Sequence, residues 1–334
     1  MFADKSWAGG DIASSIDLEG GRLLWLFGDS WVDTKKPGSR SGAVMVNNTV
    51  AVQTGRDPRT ARLAFYHRTA AGKPGPLFGP PDGASSYWLS HGGIRTSKGL
   101  YLFLSRIVAK PGDNSVFGFR STGLVMAHGL DPKVAPDRWK PIETAMPFTQ
   151  FSRNGSETVF GIPLLRKDGM IYFYGLEVDA ESKDRFLLVA RVPEGDLEDF
   201  GAWRFYSDGV WQKDFKKASR LADHFGAELS VSYLPARQQY VAVYTEGGLS
   251  ENIMIRFAPA PEGPWSKPEV IFKTPEMGWD KDYFCYAAKG HPELSTRPDE
   301  LIVSYVCNSY DFKKMAADPR IYVPKFLKVK FLPE

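Results

Sequence analysis

A chain of 334 residues with 43% hydrophobic and 24% charged side chains can build one large apolar core or two ordinary ones. The formal charge of +3 is small for this length, and no Lys/Arg stripe interleaved with aromatic rings is present, so nucleic-acid binding is not predicted. No apolar run reaches the roughly 18 residues of a membrane span, so no membrane partner is predicted either.

The N-terminal stretch MFADKSWAGGD lacks a basic segment followed by an apolar one, so no signal peptide is predicted and the cytoplasm is the expected compartment. A chain from which a leader had been trimmed would look the same and could be exported. Two cysteines, Cys285 and Cys307, are too few for a disulfide scaffold, and their spacing fits no zinc motif. Two buried thiols are the favoured interpretation; the alternative is one disulfide, which would argue for export.

Strand signals dominate the chain. Short β-branched and aromatic runs alternate with turns that use many of the 32 Gly and 24 Pro residues. Five hairpins are predicted in chain order, each with a lead-in strand, a tight turn and a strongly apolar strand, and the turns lie near residues 20, 97, 167, 237 and 298. The best helical candidate, 211–225, is expected to be a loop with one helical turn.

The hairpins recur every 60 to 77 residues or so, and further strand-like runs after them give each unit three or four antiparallel strands. Five such units predict an all-β fold, a single five-bladed β-propeller domain over residues 1–334. A β-sandwich is the structural alternative, although a sandwich gives no reason for five similar hairpins at this period.

The first hairpin carries two aspartates that are equidistant from its turn. Asp11 and Asp29 average to position 20, so they are expected directly opposite each other and on the same face. Two carboxylates held this close repel each other, so one pKa should rise and the other fall, as an acid/base enzyme needs. The alternative is that Asp29 caps a turn while Asp11 bonds the backbone of a loop.

Other polar and aromatic residues lie near the hairpin ends away from the turns, which a propeller would bring to one mouth of its central channel. The further candidates are Trp31, His91, Arg153, Asn154, Glu228, His291 and Asn308. Each also has a structural interpretation, as a packing residue for the rings, a loop residue for Arg153 and Asn154, or a rim glutamate for Glu228.

The stretch GGDIASSIDLEGGRLLWLFGDSW, followed by NNTVAVQTG, resembles the opening of a family of five-bladed propeller glycoside hydrolases that includes endo-D-arabinanases. GAELSVSYLPARQQYVAVYTE and ELIVSYVCNS resemble later blades of that family and, more loosely, those of arabinanases, xylosidases and invertases. The resemblance implies hydrolysis of furanosides, arabinan-like or related oligosaccharides, by two carboxylates.

Carried onto this sequence, the resemblance implies that Asp11 is the base or nucleophile and Asp29 the acid, or the reverse. Glu228 would orient or modulate this pair, or be the acid itself. The substrate-binding residues would be Trp31, His91, Arg153, Asn154, His291 and Asn308.

Three other functions stay open: a carbohydrate-binding propeller without turnover, a scaffold for protein partners, and a lyase in which His91 would matter more than the aspartates. No cofactor motif is present, so no cofactor is expected, although a structural calcium ion in the channel is conceivable. The sequence leaves the sugar, the linkage, the stereochemistry and the oligomeric state open.

Overall fold

The computed structural model describes residues 6–35, 39–57, 60–113, 115–151 and 156–332. Within these ranges the strands follow in the order β1 (Trp7–Gly10), β2 (Ser14–Glu19), β3 (Arg22–Phe27), β4 (Ser30–Val32), β5 (Val44–Val46), β6 (Thr49–Thr54), β7 (Arg62–Tyr66), β8 (Arg68–Ala70), β9 (Lys73–Gly75), β10 (Ser86–Trp88), β11 (Gly93–Thr96), β12 (Gly99–Ala109), β13 (Phe119–Leu130), β14 (Ile142–Ala145), β15 (Thr149–Phe151), β16 (Glu157–Lys167), β17 (Met170–Val178), β18 (Arg185–Pro193), β19 (Arg204–Ser207), β20 (Val210–Gln212), β21 (Leu229–Leu234), β22 (Gln239–Thr245), β23 (Asn252–Ala258), β24 (Glu269–Lys273), β25 (Tyr283–His291), β26 (Glu300–Ser309) and β27 (Lys325–Lys330).

Helical structure in the described ranges is limited to one short α-helix and several single 3-10 turns. The α-helix is α1 (Phe312–Ala317), and the 3-10 turns are Pro136–Arg138, Glu194–Asp196, Phe200–Ala202, Phe215–Lys217, Pro275–Gly278 and Pro292–Leu294. No helix among the described residues is long and apolar enough to cross a membrane.

The chain forms two compact units, each assembled from separate stretches of sequence. Unit 1 contains the described residues of 1–144, 275–285 and 305–325, and unit 2 contains those of 145–274, 286–304 and 326–334. The expectation of a single domain over residues 1–334 stays a prediction.

Unit 1 holds a three-stranded sheet of order β1-β4-β5, a four-stranded sheet of order β2-β3-β6-β7 and the hairpin β8-β9. A five-stranded sheet of order β10-β12-β13-β14, in which β11 also pairs with β12, completes this unit. The pairings from β1 to β13 are antiparallel. These sheets are therefore antiparallel, as the predicted hairpins require, although β1-β4, β3-β6 and β10-β12 pair strands that are not consecutive in the chain.

The core of unit 1 contains side chains from its two larger sheets. Leu24 and Leu26 of β3 belong to the same buried cluster as Leu102 and Leu104 of β12. Burying an aliphatic side chain of this size contributes roughly 1.5 to 3 kcal/mol. Strand β3 lies between β2 and β6 and its residues from Leu23 to Phe27 are fully buried, which explains why this run is continuously apolar and does not alternate.

Unit 2 holds a six-stranded sheet, β15-β16-β17-β18-β19-β20, and a four-stranded sheet, β21-β22-β23-β24. All their pairings are antiparallel. One buried cluster joins both sheets, with Tyr174 and Leu176 from the first and Val231 and Tyr244 from the second. Each unit thus repeats one design, in which neighbouring antiparallel sheets share an apolar core.

A further sheet, of order β25-β26-β27, carries both cysteines. Cys285 of β25 and Cys307 of β26 are buried and form a disulfide bond, so the interpretation of two free thiols is wrong. The bond joins neighbouring strands of one sheet, and the pairing brings together two residues that are 22 positions apart in the sequence.

The prediction of an all-β chain of antiparallel hairpins is confirmed. Strand pairs flank all five predicted turns, namely β2-β3, β11-β12, β16-β17, β21-β22 and β25-β26. The helical structure within the candidate 211–225 is the single 3-10 turn Phe215–Lys217, as expected. The number of blades and the closure of the ring stay predictions.

Candidate active site

Asp11 and Asp29 lie opposite each other, as the hairpin arithmetic predicts. The β1-β4 ladder ends at the pair of Gly10 and Ser30, one residue before the first aspartate and one after the second. The β2-β3 ladder continues the same register on the other side. The backbone N–H of Asp11 donates to the carbonyl of Asp29 at 3.4 Å. The two residues therefore share the short gap between the two ladders.

The backbone beside Asp11 has a strained conformation. Ile12 and Ala13 have φ values of 70° and 51°, in the left-handed region that a β-branched residue rarely adopts. Both side chains are buried, so the surrounding core holds them there. A Cβ at Gly28 would collide with Oδ1 of Asp11, so only glycine leaves room for this carboxylate. Such strain is concentrated at functional sites, and here it brings Asp11 against the end of β3.

Burial and a neighbouring charge make Asp29 a weak acid. Burial raises the pKa of Asp29 from 3.8 to about 8, with the charge of Asp11 as the second cause. The side-chain amide of Asn47 donates to Oδ1 of Asp29 at 3.3 Å, and this bond lowers the pKa in part, as does the nearby indole of Trp88. Asp29 keeps some exposure to solvent. At neutral pH it is therefore mostly protonated and can still exchange its proton.

Trp88 connects Asp29 with the neighbourhood of His91. Trp88 pairs with Ser105 across the β10-β12 ladder, and Nε2 of His91 makes a short hydrogen bond with the Ser105 hydroxyl. The hydroxyl of Ser90 also donates to Ser105, at 3.4 Å. His91 itself is 9% exposed. Its predicted role in binding sugar hydroxyls stays a prediction.

Trp31 lies in the core of unit 1. It is 7% exposed, its indole N–H contacts Sδ of Met315 at 3.2 Å, and its ring packs against Phe312. These contacts fix helix α1 to β4, so the position of Trp31 argues for packing and against the predicted sugar platform. Asn308, near the end of β26, is half-buried, and its Oδ1 accepts from the backbone of Ser309 at 2.7 Å.

The remaining predicted residues belong to unit 2 or lie outside the described residues. Glu228 is half-buried and precedes the Leu229–Tyr244 pair that begins the β21-β22 ladder. Arg153 and Asn154 lie outside the residues that the structure describes. The convergence of all these side chains at one channel mouth stays a prediction.

His291 is a buried, neutral packing residue, which contradicts its predicted role. It is 1% exposed, and burial lowers its pKa to about 3, with the charge of Lys289 as a second cause. Its Nε2 bonds the hydroxyl of Ser304 at 2.7 Å, and its ring packs near Phe326. A ring enclosed in this way cannot contact a ligand, so we remove His291 from the candidate site.

Sequence reasoning missed Asn47, which was expected only as part of a strand. Its neighbour Asn48 is fully buried and donates to the carbonyls of Phe78 and Tyr87 at 2.9 and 2.8 Å. These bonds fix the backbone from which Asn47 reaches Asp29. The signal in the sequence was the pair of amides directly before an apolar strand, where neither amide could be left without a hydrogen-bond partner.

Two clusters of potential metal ligands occur among the described residues, and neither includes Asp11 or Asp29. One contains Glu276 with the two cysteines, which are engaged in the disulfide, while Lys325 neutralises Glu276 at 3.0 Å. The other contains Asp184, Asp223 and His224. Here Asp184 pairs with His224 at 2.6 Å and Asp223 with an arginine. The calcium ion that the sequence leaves conceivable is not tested by these clusters.

A cavity of about 440 Å³ lies in unit 2, away from any pair of facing carboxylates. Its lining includes Lys167 and Asp168 at the β16-β17 turn and Gln238 at the β21-β22 turn. The cavity therefore lies at the turn ends of these two hairpins. Glu228 lies at the other end of the β21-β22 hairpin, away from its turn. Chemistry by two carboxylates points to Asp11 and Asp29, which do not line this cavity.

The chain belongs to the family described as Domain of unknown function (DUF5005), whose model matches residues 2–331. No curated protein matches the chain. Among solved structures, the chain is similar to an assumed hydrolase from Bacteroides ovatus ATCC 8483, with a TM-score of 0.72 and 18% identity over 97% of this chain and 86% of that one.

It is also similar to an N-acetylgalactosamine deacetylase from F. plautii in complex with blood group B trisaccharide. That match has a TM-score of 0.52 and 11% identity over 99% of this chain and 92% of the other. A third structure is an exo-beta-1,3-galactanase from Phanerochaete chrysosporium with galactose, with a TM-score of 0.49 and 10% identity over 99% of this chain and 64% of that one. The first two matches support the fold alone.

Proposed function

We propose that this protein is a glycoside hydrolase in which Asp29 is the general acid and Asp11 the general base or nucleophile. The observation that carries the proposal is the pair of aspartates at opposed backbone positions, of which Asp29 keeps its proton at neutral pH because burial and the charge of Asp11 raise its pKa to about 8. Cleavage of a glycosidic bond needs one protonated and one ionised carboxyl group on either side of the scissile bond.

The hydrogen bonds of Asp29 fit the role of an acid. Asn47 donates to Oδ1, so the proton of Asp29 is carried by Oδ2. When that proton passes to the leaving glycosidic oxygen, a carboxylate forms on Asp29. The N–H group of Asn47, which already lowers this pKa, then stabilises the new negative charge, with the indole of Trp88 close by.

Asp11 supplies the second half of the reaction. As a base, it takes a proton from water while the water oxygen bonds to the anomeric carbon and the leaving oxygen departs with the proton from Asp29. As a nucleophile, Asp11 bonds to the anomeric carbon itself while the leaving oxygen departs with the proton from Asp29. Water then hydrolyses this glycosyl ester, giving a proton back to Asp29 and releasing the Asp11 carboxylate. The anomer that is first released distinguishes the two routes, since the first route inverts and the second retains configuration.

The substrate class in this proposal is a furanoside, arabinan-like or related oligosaccharide. The resemblance of the first hairpin to endo-D-arabinanase-like enzymes supports it, and so does the aromatic ring of Trp88 beside the acid. The F. plautii deacetylase, whose fold is similar, was solved with a trisaccharide. The disulfide favours an oxidising compartment, so we place the enzyme outside the cytoplasm.

The test is the release of reducing ends from arabinans, arabinogalactans, xylans, fructans and aryl furanosides by the wild type, Asp29→Asn and Asp33→Asn. Asp33 has φ 53°, which asparagine tolerates, so Asp33→Asn is the matched control. We expect Asp29→Asn to lose about 10²- to 10⁴-fold in rate and the control to keep it. If no glycan is cleaved and one of them raises the melting temperature of all three proteins equally, the site binds carbohydrate without turnover and the proposal is wrong.

A further inference from the structure

We propose that a row of aromatic rings beginning at Trp88 and ending at Tyr310 binds the sugar residues next to the scissile bond, so that the substrate is a chain of several sugars. This inference rests on the proposed function, because the row begins beside Asp29. It adds to that function a substrate of several sugars and a set of binding residues other than Asp11 and Asp29.

The rings follow one another at contact distance within unit 1. Trp88, which lies beside Asp29, packs edge-on against Phe119 with ring centroids 4.3 Å apart. Phe119 is followed by Phe117 at 6.5 Å, and Phe117 by Tyr310 at 6.1 Å. These spacings are those of interacting aromatic rings, so the four side chains form one continuous row.

The outer end of the row is exposed although apolar rings favour burial. Phe117 is 39% exposed and Tyr310 is 51% exposed. Phe284 lies among them, 3% exposed, at 5.8 Å from Phe117 and 4.5 Å from Tyr310. A buried ring that supports two exposed ones gives them a fixed base. Exposed apolar groups that cluster in this way mark a binding surface.

The backbone holds Phe117 in place before any ligand arrives. The N–H of Phe117 donates to the hydroxyl of Ser115 at 3.3 Å, and the N–H of Gly118 donates to the Ser115 carbonyl at 2.9 Å. Tyr310 is held by its own N–H, which donates to the carbonyl of Asp282 at 2.9 Å. A preorganised pair of rings loses little conformational entropy on binding.

Carbohydrate is the occupant that these features favour. A sugar ring presents its C–H groups to an aromatic face and keeps its hydroxyls for polar partners, and Asn308 lies two residues before Tyr310. The row is continuous with the acid pair through Trp88. A ligand bound on the row and cleaved at Asp29 must therefore extend beyond the sugar at the cleavage point, whereas a monosaccharide glycoside would occupy the cleavage point alone.

The experiment compares the wild type with Phe117→Ala, Tyr310→Ala and the double variant on the polysaccharide that is cleaved and on an aryl glycoside of the same sugar. The control is Tyr233→Ala, since Tyr233 is 44% exposed and belongs to unit 2. We expect the double variant to lose about 10-fold or more in kcat/KM on the polysaccharide, mainly through a higher KM, and to keep its aryl glycoside activity.

If the double variant cleaves the polysaccharide as the wild type does, the row is not a binding surface, while the hydrolase function stands. An equal loss of activity on both substrates would also contradict the proposed role of the row. A surface that binds sugars away from the cleavage point should affect cleavage of the polysaccharide alone. If the wild type cleaves nothing, the proposed function fails, and electrophoresis in gels that contain each glycan tests the row alone. Retardation of the wild type but not of the double variant supports the row; equal migration overturns it.

Discussion

The side-chain amide of Asn47 donates a hydrogen bond to Oδ1 of Asp29 at 3.3 Å, on the carboxyl group whose pKa is raised to about 8. This single donor acts on two properties of the acid. It lowers the pKa of Asp29, and it stabilises the carboxylate that remains after proton transfer.

The pH dependence of the rate follows from this bond. Because Asp29 must be protonated, we expect kcat to fall as the pH rises through about 8 in the wild type. In Asn47→Ala the pKa of Asp29 rises further, so the alkaline limb moves to higher pH, and the maximal rate falls about tenfold because the product carboxylate loses a donor. The measurement is a pH–rate profile on the cleaved substrate. A limb that stays in place or moves to lower pH would contradict the role given to Asn47.

The same raised pKa makes the stability of the protein depend on pH. Between pH 3.8 and about 8 the folded protein holds the Asp29 proton while the unfolded chain has lost it. The contribution of Asp29 to stability is therefore complete at low pH and declines as the pH rises through this window. Asp29→Asn has no such proton. The melting temperature of this variant, relative to that of the wild type, should therefore increase as the pH rises from 4 to 8. Parallel curves for the two proteins, with Asp33→Asn as reference, would show that Asp29 titrates normally.

Gly28 offers a test of geometry that leaves every charge in place. A methyl group there would collide with Oδ1 of Asp11, so Gly28→Ala should displace this carboxylate and lower the rate by about 10²-fold. Gly195→Ala is the matched control, because nothing lies near the position that its Cβ would take. The readout is kcat beside the melting temperature. Full activity in a folded Gly28→Ala protein would mean that Asp11 is not placed by this contact.

The position of the aspartate pair was predictable because it depends on local rules. The turn of the first hairpin is short and strands alternate every two residues, so two residues equidistant from the turn must face each other. Asn47 and Trp88 could not be found this way. Asn47 directly follows β5 and Trp88 ends β10, and no spacing in the sequence encodes which strand of one sheet lies beside the end of another.

His291 and the cysteines show a second limit. Nearly every residue of β25 is buried, on both faces of the strand, so the alternation that would separate a packing histidine from a ligand-binding one is missing. The connection from β25 to β26 includes the 3-10 turn Pro292–Leu294 and is too long to fix a register from the sequence. For this reason the pairing of Cys285 with Cys307 became visible only in three dimensions.

The disulfide itself predicts a loss of stability on reduction. A bond that closes a loop over a separation of 22 residues should contribute about 3 kcal/mol to the free energy of unfolding. The variant with both Cys285→Ser and Cys307→Ser should therefore unfold at lower guanidinium chloride concentration than the oxidised wild type. Reductant should bring the wild type close to the variant and leave the variant unchanged. Thiol titration of the unfolded wild type without reductant provides the independent check, because two reactive thiols there would show that the bond does not form.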